Sequence, residues 1–74
     1  MILVTGAGGF VGSHVCRLLS AQGYAVVAID RRFPTDQPYS QLSGDISSAD
    51  FLAKVMRTGS FDTIIHLAAV LNTA

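Results

Sequence analysis

The chain has 74 residues, of which half are apolar and only ten, or 14%, are charged, and its formal net charge is zero. That length suits one small domain and excludes two, while the charge balance gives no long-range attraction for nucleic acid or an anionic membrane. A chain this small buries only about 60% of the surface its unfolded form exposes, yet it falls well below the usual charged fraction of about 25%, so it reads as the interior portion of something larger.

Met1–Val4 is a short, continuous apolar run ending in Thr5, the pattern of a strand covered on both faces. A glycine cluster, Gly6-Ala7-Gly8-Gly9, follows it. Val11, Val15, Leu18 and Leu19 then recur at i, i+4, i+7 and i+8, which predicts one apolar helix face, with Gly23 as its C-terminal stop. Ala25–Ile29 is a second buried-strand run, closed by Asp30. The polar stretch from Arg31 to Ser43, with Pro34 and Pro38, is loop with a short edge strand near Tyr39–Leu42. Ser47 and Asp50 fit a capping box for a second helix. Its apolar side holds Phe51, Leu52, Val55 and Met56, and Gly59 ends it. Thr63–Ala68 is a third apolar strand.

The order β-α-β-(β)-α-β, with helical crossovers, implies a parallel sheet with right-handed connections. The fold class is therefore α/β, a partial Rossmann (doubly wound) fold with a parallel sheet of three to four strands and two helices. Residues 1–74 make one mononucleotide-binding half of such a domain.

The sharpest chemical signal lies between the first strand and the first helix, where glycines stand at Gly6, Gly9 and Gly12. A chain turning sharply from strand to helix needs a backbone that L-residues resist. A diphosphate approaching the helix N-terminus needs main-chain N–H groups unshielded by a Cβ, and the helix dipole favours its charge. Gly12 lets the helix pack closely on the sheet. Asp30, 18 residues after Gly12 and at the end of the second strand, can accept both hydroxyl hydrogens of an adenosine ribose and would repel a 2′-phosphate, which favours NAD over NADP. Arg31 and Arg32 oppose that preference, since an adjacent guanidinium can bind such a phosphate. The bland alternatives are a ligand-free glycine turn and an aspartate that ends a strand in solvent.

Thr5-Gly6-x-x-Gly9-Phe10-x-Gly12, Asp30, Gly44-Asp45-Ile46 and His66-Leu67-Ala68-Ala69 together resemble the N-terminal part of an extended short-chain dehydrogenase/reductase, more narrowly of the NAD-dependent epimerase/dehydratase family, whose members act largely on nucleotide sugars. The resemblance implies main-chain contacts from Phe10 and Val11 to the diphosphate. It implies that Asp45 and Ile46 hold the adenine, and that Leu67, Ala68 and Ala69 line the pocket toward the nicotinamide. Without it, Gly44-Asp45-Ile46 is only a turn before a capped helix.

In that family, catalysis rests on a Tyr-x-x-x-Lys pair with a nearby Ser or Thr. Here Tyr24 is followed four residues on by Ala28 and Tyr39 by Ser43, and the one lysine, Lys54, stands elsewhere. No residue of this chain is therefore assigned as catalytic. Two functional expectations follow. One is the NAD-binding N-terminal fragment of an epimerase, dehydratase or reductase acting on a nucleotide sugar or similar carbonyl compound. The other is a non-catalytic NAD(P)-binding module or a subunit completed by a partner chain. Cys16 is expected to be a small apolar filler, and His66 a satisfied core or strand-end residue. With no secretory signal and no spanning segment, a cytoplasmic location is expected. The last strand should leave one apolar edge unpaired, which predicts a homo-oligomer through that edge.

Overall fold

The computed structural model describes residues 1–68. Its elements run β1 (Ile2–Thr5), α1 (Phe10–Ala21), β2 (Val26–Asp30), β3 (Ser40–Ser43), α2 (Ala49–Met56) and β4 (Thr63–His66). The four strands form one sheet in the order β3-β2-β1-β4, with every neighbouring pair parallel. The expected α/β architecture is thus present, including the short edge strand. The last strand is two residues shorter than the apolar run suggests.

Successive residues of a strand face opposite sides, and β1 and β2 bury both. Ile2, Val4, Val26 and Ala28 pack with Cys16 of α1 on one side, while Leu3, Val27 and Ile29 pack with Val55 of α2 on the other. This is why both strands read as unbroken apolar runs. The two helices cover opposite faces, and the ends of β1, β2 and β3 emerge together at one rim. The register sets Thr5 beside Ile29 and His66, and Asp30 beside Ser43.

Two details of the helices differ from the sequence reading. The face of α1 that meets the sheet is Gly12–Cys16, with Leu19 partly buried beside it, whereas Val11 and Leu18 are exposed. The close approach permitted by Gly12 brings Gly12 and Cys16 onto the sheet, with Leu19 packed partly buried beside them. In α2 the N-cap is Ser48, whose Oγ accepts from Phe51 N at 3.2 Å. Ser47 is instead held by Asp45, which accepts from its N–H at 2.9 Å and its Oγ at 2.8 Å. The helix therefore starts one residue later than a Ser47–Asp50 box requires. Of its expected apolar side only Val55 is buried, with Phe51 partly so, while Leu52 and Met56 are exposed. The helix ends at Met56 with Arg57 as its C-cap, before Gly59.

Candidate functional site

The rim where β1 turns into α1 carries the glycine loop. Gly6 has φ +69°, the left-handed region that L side chains avoid. A Cβ there would also meet Ala68 N at 2.7 Å, so two constraints require glycine at once. A Cβ on Gly12 would collide with the Gly6 carbonyl and with Ala7, which fixes the closeness of α1 to the loop. Gly9 is the N-cap of α1, with φ −78° and ψ 175°. It offers no side-chain cap, and the first turn carries no acidic residue. The positive end of the helix dipole therefore faces outward with no anionic side chain of its own. Phe10 and Val11 are exposed at this turn, Phe10 to 92%.

Asp30 connects the loop to the end of β2. Its Oδ2 accepts from Gly8 N at 2.9 Å and its Oδ1 from Arg31 N at 2.6 Å. Each carboxylate oxygen retains a lone pair for a further donor. Gly8 lies outside the Gly6-x-x-Gly9-x-x-Gly12 spacing, and sequence reasoning missed it. Its N–H is the loop's partner for Asp30, and a Cβ on it would collide with the Arg32 carbonyl. Its place inside the glycine cluster was the available signal.

Arg31 and Asp45 meet across the rim, with a nitrogen of the Arg31 guanidinium 3.0 Å from Asp45 Oδ2. Hydrogen bonds from the Ser47 backbone and side chain hold the Asp45 carboxyl below its ordinary range, and the Arg31 charge adds to this. Both partners are well exposed, so the pair adds little stability. Its effect is positional: it joins the residue after β2 to the turn before α2. Arg31 is thereby engaged with a carboxylate at the rim, and Ile46 packs partly buried against the α2-side core.

Thr5 links β1 to the segment after β4. Its Oγ1 accepts from Leu67 N at 3.1 Å and Ala68 N at 3.2 Å, and stands 2.7 Å from His66 Nδ1. The Thr5 hydroxyl is thus the partner of His66, with donor and acceptor set by the tautomer of the ring. His66 is accordingly a strand-end residue with a partner. Leu67 and Ala68 are brought against Gly6, on the opposite side of the loop from Asp30. Ala69 lies outside the described residues. The structure thus gathers Gly6, Gly9, Phe10, Val11, Gly12, Asp30, Arg31, Asp45, Ile46, Leu67 and Ala68 along a single rim.

Residues 2–74 match the model of the NAD dependent epimerase/dehydratase family. The chain belongs to that family. It is 39% identical over 72 residues to a UDP-glucose 4-epimerase of Azospirillum brasilense, a match that covers 90% of the chain and 21% of that relative. Among solved structures, UDP-glucose 4-epimerase of Thermotoga maritima, determined with UDP-glucose, superposes with a TM-score of 0.83 at 29% identity, covering 92% of the chain and 24% of that protein. The Bordetella bronchiseptica enzyme WbmH, determined in complex with NAD+, superposes with a TM-score of 0.81 at 26% identity, covering 97% and 26%. The chain therefore spans between about a fifth and a quarter of the length of these relatives. No helix among the described residues is long and apolar enough to cross a membrane.

Proposed function

We propose that this family member holds the adenosine and diphosphate of NAD on the glycine-loop rim. The observation that carries the reading is the joint placement of an uncapped helix N-terminus and Asp30, tied together by the Gly8–Asp30 hydrogen bond. A diphosphate fits the first, where amide N–H groups and the dipole favour anions. A ribose fits the second, where the free lone pairs of the carboxylate can accept its hydroxyls. The bond between them fixes the distance from one anchor to the other before any ligand arrives. NAD over NADP follows from the negative charge at the ribose position.

In the same reading Phe10 and Val11 offer main-chain N–H groups to the diphosphate, and Asp45 and Ile46 flank the adenine. Asp45 is oriented for this by Ser47 and Arg31. Leu67, Ala68 and Ala69 border the nicotinamide end. A bound nicotinamide supplies a hydride acceptor and donor. This chain contributes binding and orientation, and the proton-transferring groups belong to whatever completes the site. In a complete protein the activity is epimerase, dehydratase or reductase chemistry on a nucleotide sugar or similar carbonyl compound, as the UDP-glucose 4-epimerases it resembles suggest. Calorimetric titration of the chain with NAD is the test. Saturable binding that weakens at least tenfold in Asp30→Ala, the scale of one hydrogen bond to a charged group, supports the reading; no heat at millimolar NAD overturns it for this chain.

A further inference from the structure

Asp30 is followed by two arginines, Arg31 and Arg32, cations at the place where a phosphorylated ribose would need one. The fold treats the two differently. Arg31 starts beside the Asp30 carboxylate, its N–H donating to Oδ1 at 2.6 Å. Its guanidinium then reaches across the rim and donates to Asp45 Oδ2 at 3.0 Å. Arg32 makes no ion pair among the described residues.

The acceptor is held in place before Arg31 meets it. Asp45 Oδ1 accepts from the Ser47 N–H at 2.9 Å and from Ser47 Oγ at 2.8 Å, which leaves Oδ2 for the guanidinium. The turn that carries Asp45 is fixed in its own right to the end of β2. Asp30 pairs with Ser43 across the β2–β3 ladder, and Gly44 N donates to the Asp30 carbonyl at 2.9 Å. The sheet, not a free loop, therefore sets how far Arg31 stands from Asp45. The Ser47 hydrogen bonds, with the Arg31 charge adding to them, keep the Asp45 carboxyl ionised at neutral pH. A phosphate that took Arg31 would have to displace this carboxylate and then lie near its uncompensated charge. A ribose with free hydroxyls makes no such demand. Specificity is a difference of affinities, and withholding a partner from the wrong ligand is one way to build it.

We propose that Asp45 is a cofactor-specificity residue, which disfavours NADP by pairing with Arg31 and so withholding the guanidinium from a ribose 2′-phosphate. This role rests on the dinucleotide reading of the rim given above. It adds a second determinant to the Asp30 charge, and it accounts for an arginine next to Asp30 in a site read as binding NAD. Both partners are well exposed, so the pair can be separated and the discrimination it adds is moderate.

The test compares the dissociation constants of NAD and NADP by calorimetry. Their ratio is the readout, because Asp45 also flanks the adenine in this reading and the adenine is common to both cofactors. Asp45→Asn keeps an oxygen for Ser47 and should move the ratio about three- to tenfold toward NADP. The shift should vanish when Arg31→Ala is added and persist when Arg32→Ala is added instead. Ser47→Ala removes a hydrogen bond from Asp45 and should move the ratio the same way by a smaller factor, which keeps the test open should Asp45→Asn fail to fold. A ratio unchanged in both single variants, or a shift that survives Arg31→Ala, overturns the proposal and leaves NAD binding on the rim intact. A wild-type chain that binds no NAD overturns the dinucleotide reading itself, and the role of Asp45 with it.

Discussion

Gly9 stands where two demands on one residue conflict. As the N-cap of α1 it is slightly less stabilising than Asp, Asn or Ser, whose side chain would accept a first-turn N–H. Its φ of −78° suits any residue, and a Cβ there would make only an ordinary contact, 3.5 Å from the Gly6 carbonyl. Neither backbone strain nor crowding therefore requires glycine, in contrast to Gly6 and Gly12. What remains is the anion that would approach the turn. Gly9→Asp is thus predicted to raise the unfolding free energy by about 0.3–1 kcal/mol, through the cap and the dipole, while abolishing NAD binding. Chemical denaturation and calorimetry on the same sample check both signs, and a variant that gains stability and still binds NAD sinks the assignment. Asp30 carries a comparable double role in the proposed site, because its bond to Gly8 makes it part of the loop's frame as well as the proposed ribose partner. The Gly6, Gly9 and Gly12 spacing was legible because glycine has few substitutes in such a turn. Gly8 and Thr5 were not, because their roles depend on atoms that only the fold brings near: Asp30, 22 residues away, and Ala68, 63 residues away.

At the scale of the elements, every strand and helix was readable from apolar runs and turn residues, but the orientation of the helices was not. Hydropathy placed Val11, Val15, Leu18 and Leu19 inward, whereas the structure turns Gly12 and Cys16 to the sheet, keeps Val15 and Leu19 partly buried and exposes Val11 and Leu18. Apolar periodicity locates a helix that buries its large side chains, and it fails where close approach of the backbone selects small ones. The outward stripe of Val11 and Leu18 is then surface with no partner among the described residues. The N-cap of α2 was misplaced for a related reason. Ser47 and Ser48 are both competent caps, and the choice is made by Asp45, which binds Ser47 and leaves Ser48 to Phe51 N. Ser48→Ala should cost about 1 kcal/mol of stability. Ser47→Ala should cost less and act on the Asp45 turn, letting the Asp45 carboxyl titrate closer to its ordinary pH. Equal losses in the two variants would show that the cap is shared.

For the whole molecule, the sheet is covered most completely over β1 and β2 and least over β4. Ile64 is 55% exposed, and Leu67, just after β4, is exposed as well. β4 pairs with β1 on one side only among the described residues. An unpaired edge carrying apolar side chains is a template for another chain. The 74-residue chain is therefore predicted to self-associate. Sedimentation at micromolar concentration should show dimers or larger species, and replacement of Ile64 by lysine should shift the distribution toward monomer. A monomer under those conditions refutes this. The low charge noted from composition finds its physical place here, in apolar surface exposed beside a sheet edge.

The Thr5 hydroxyl links residues 61 to 63 positions apart, to His66, Leu67 and Ala68, and a Cβ on Gly6 would meet the same distant segment. Contacts of such sequence separation form late, because the intervening chain must first lose its freedom. The glycine loop can turn early, but the wall beside it arrives only with β4. During synthesis, nearly the whole of this chain must leave the ribosome before the rim can close, so the glycine loop spends that interval without the wall that β4 brings.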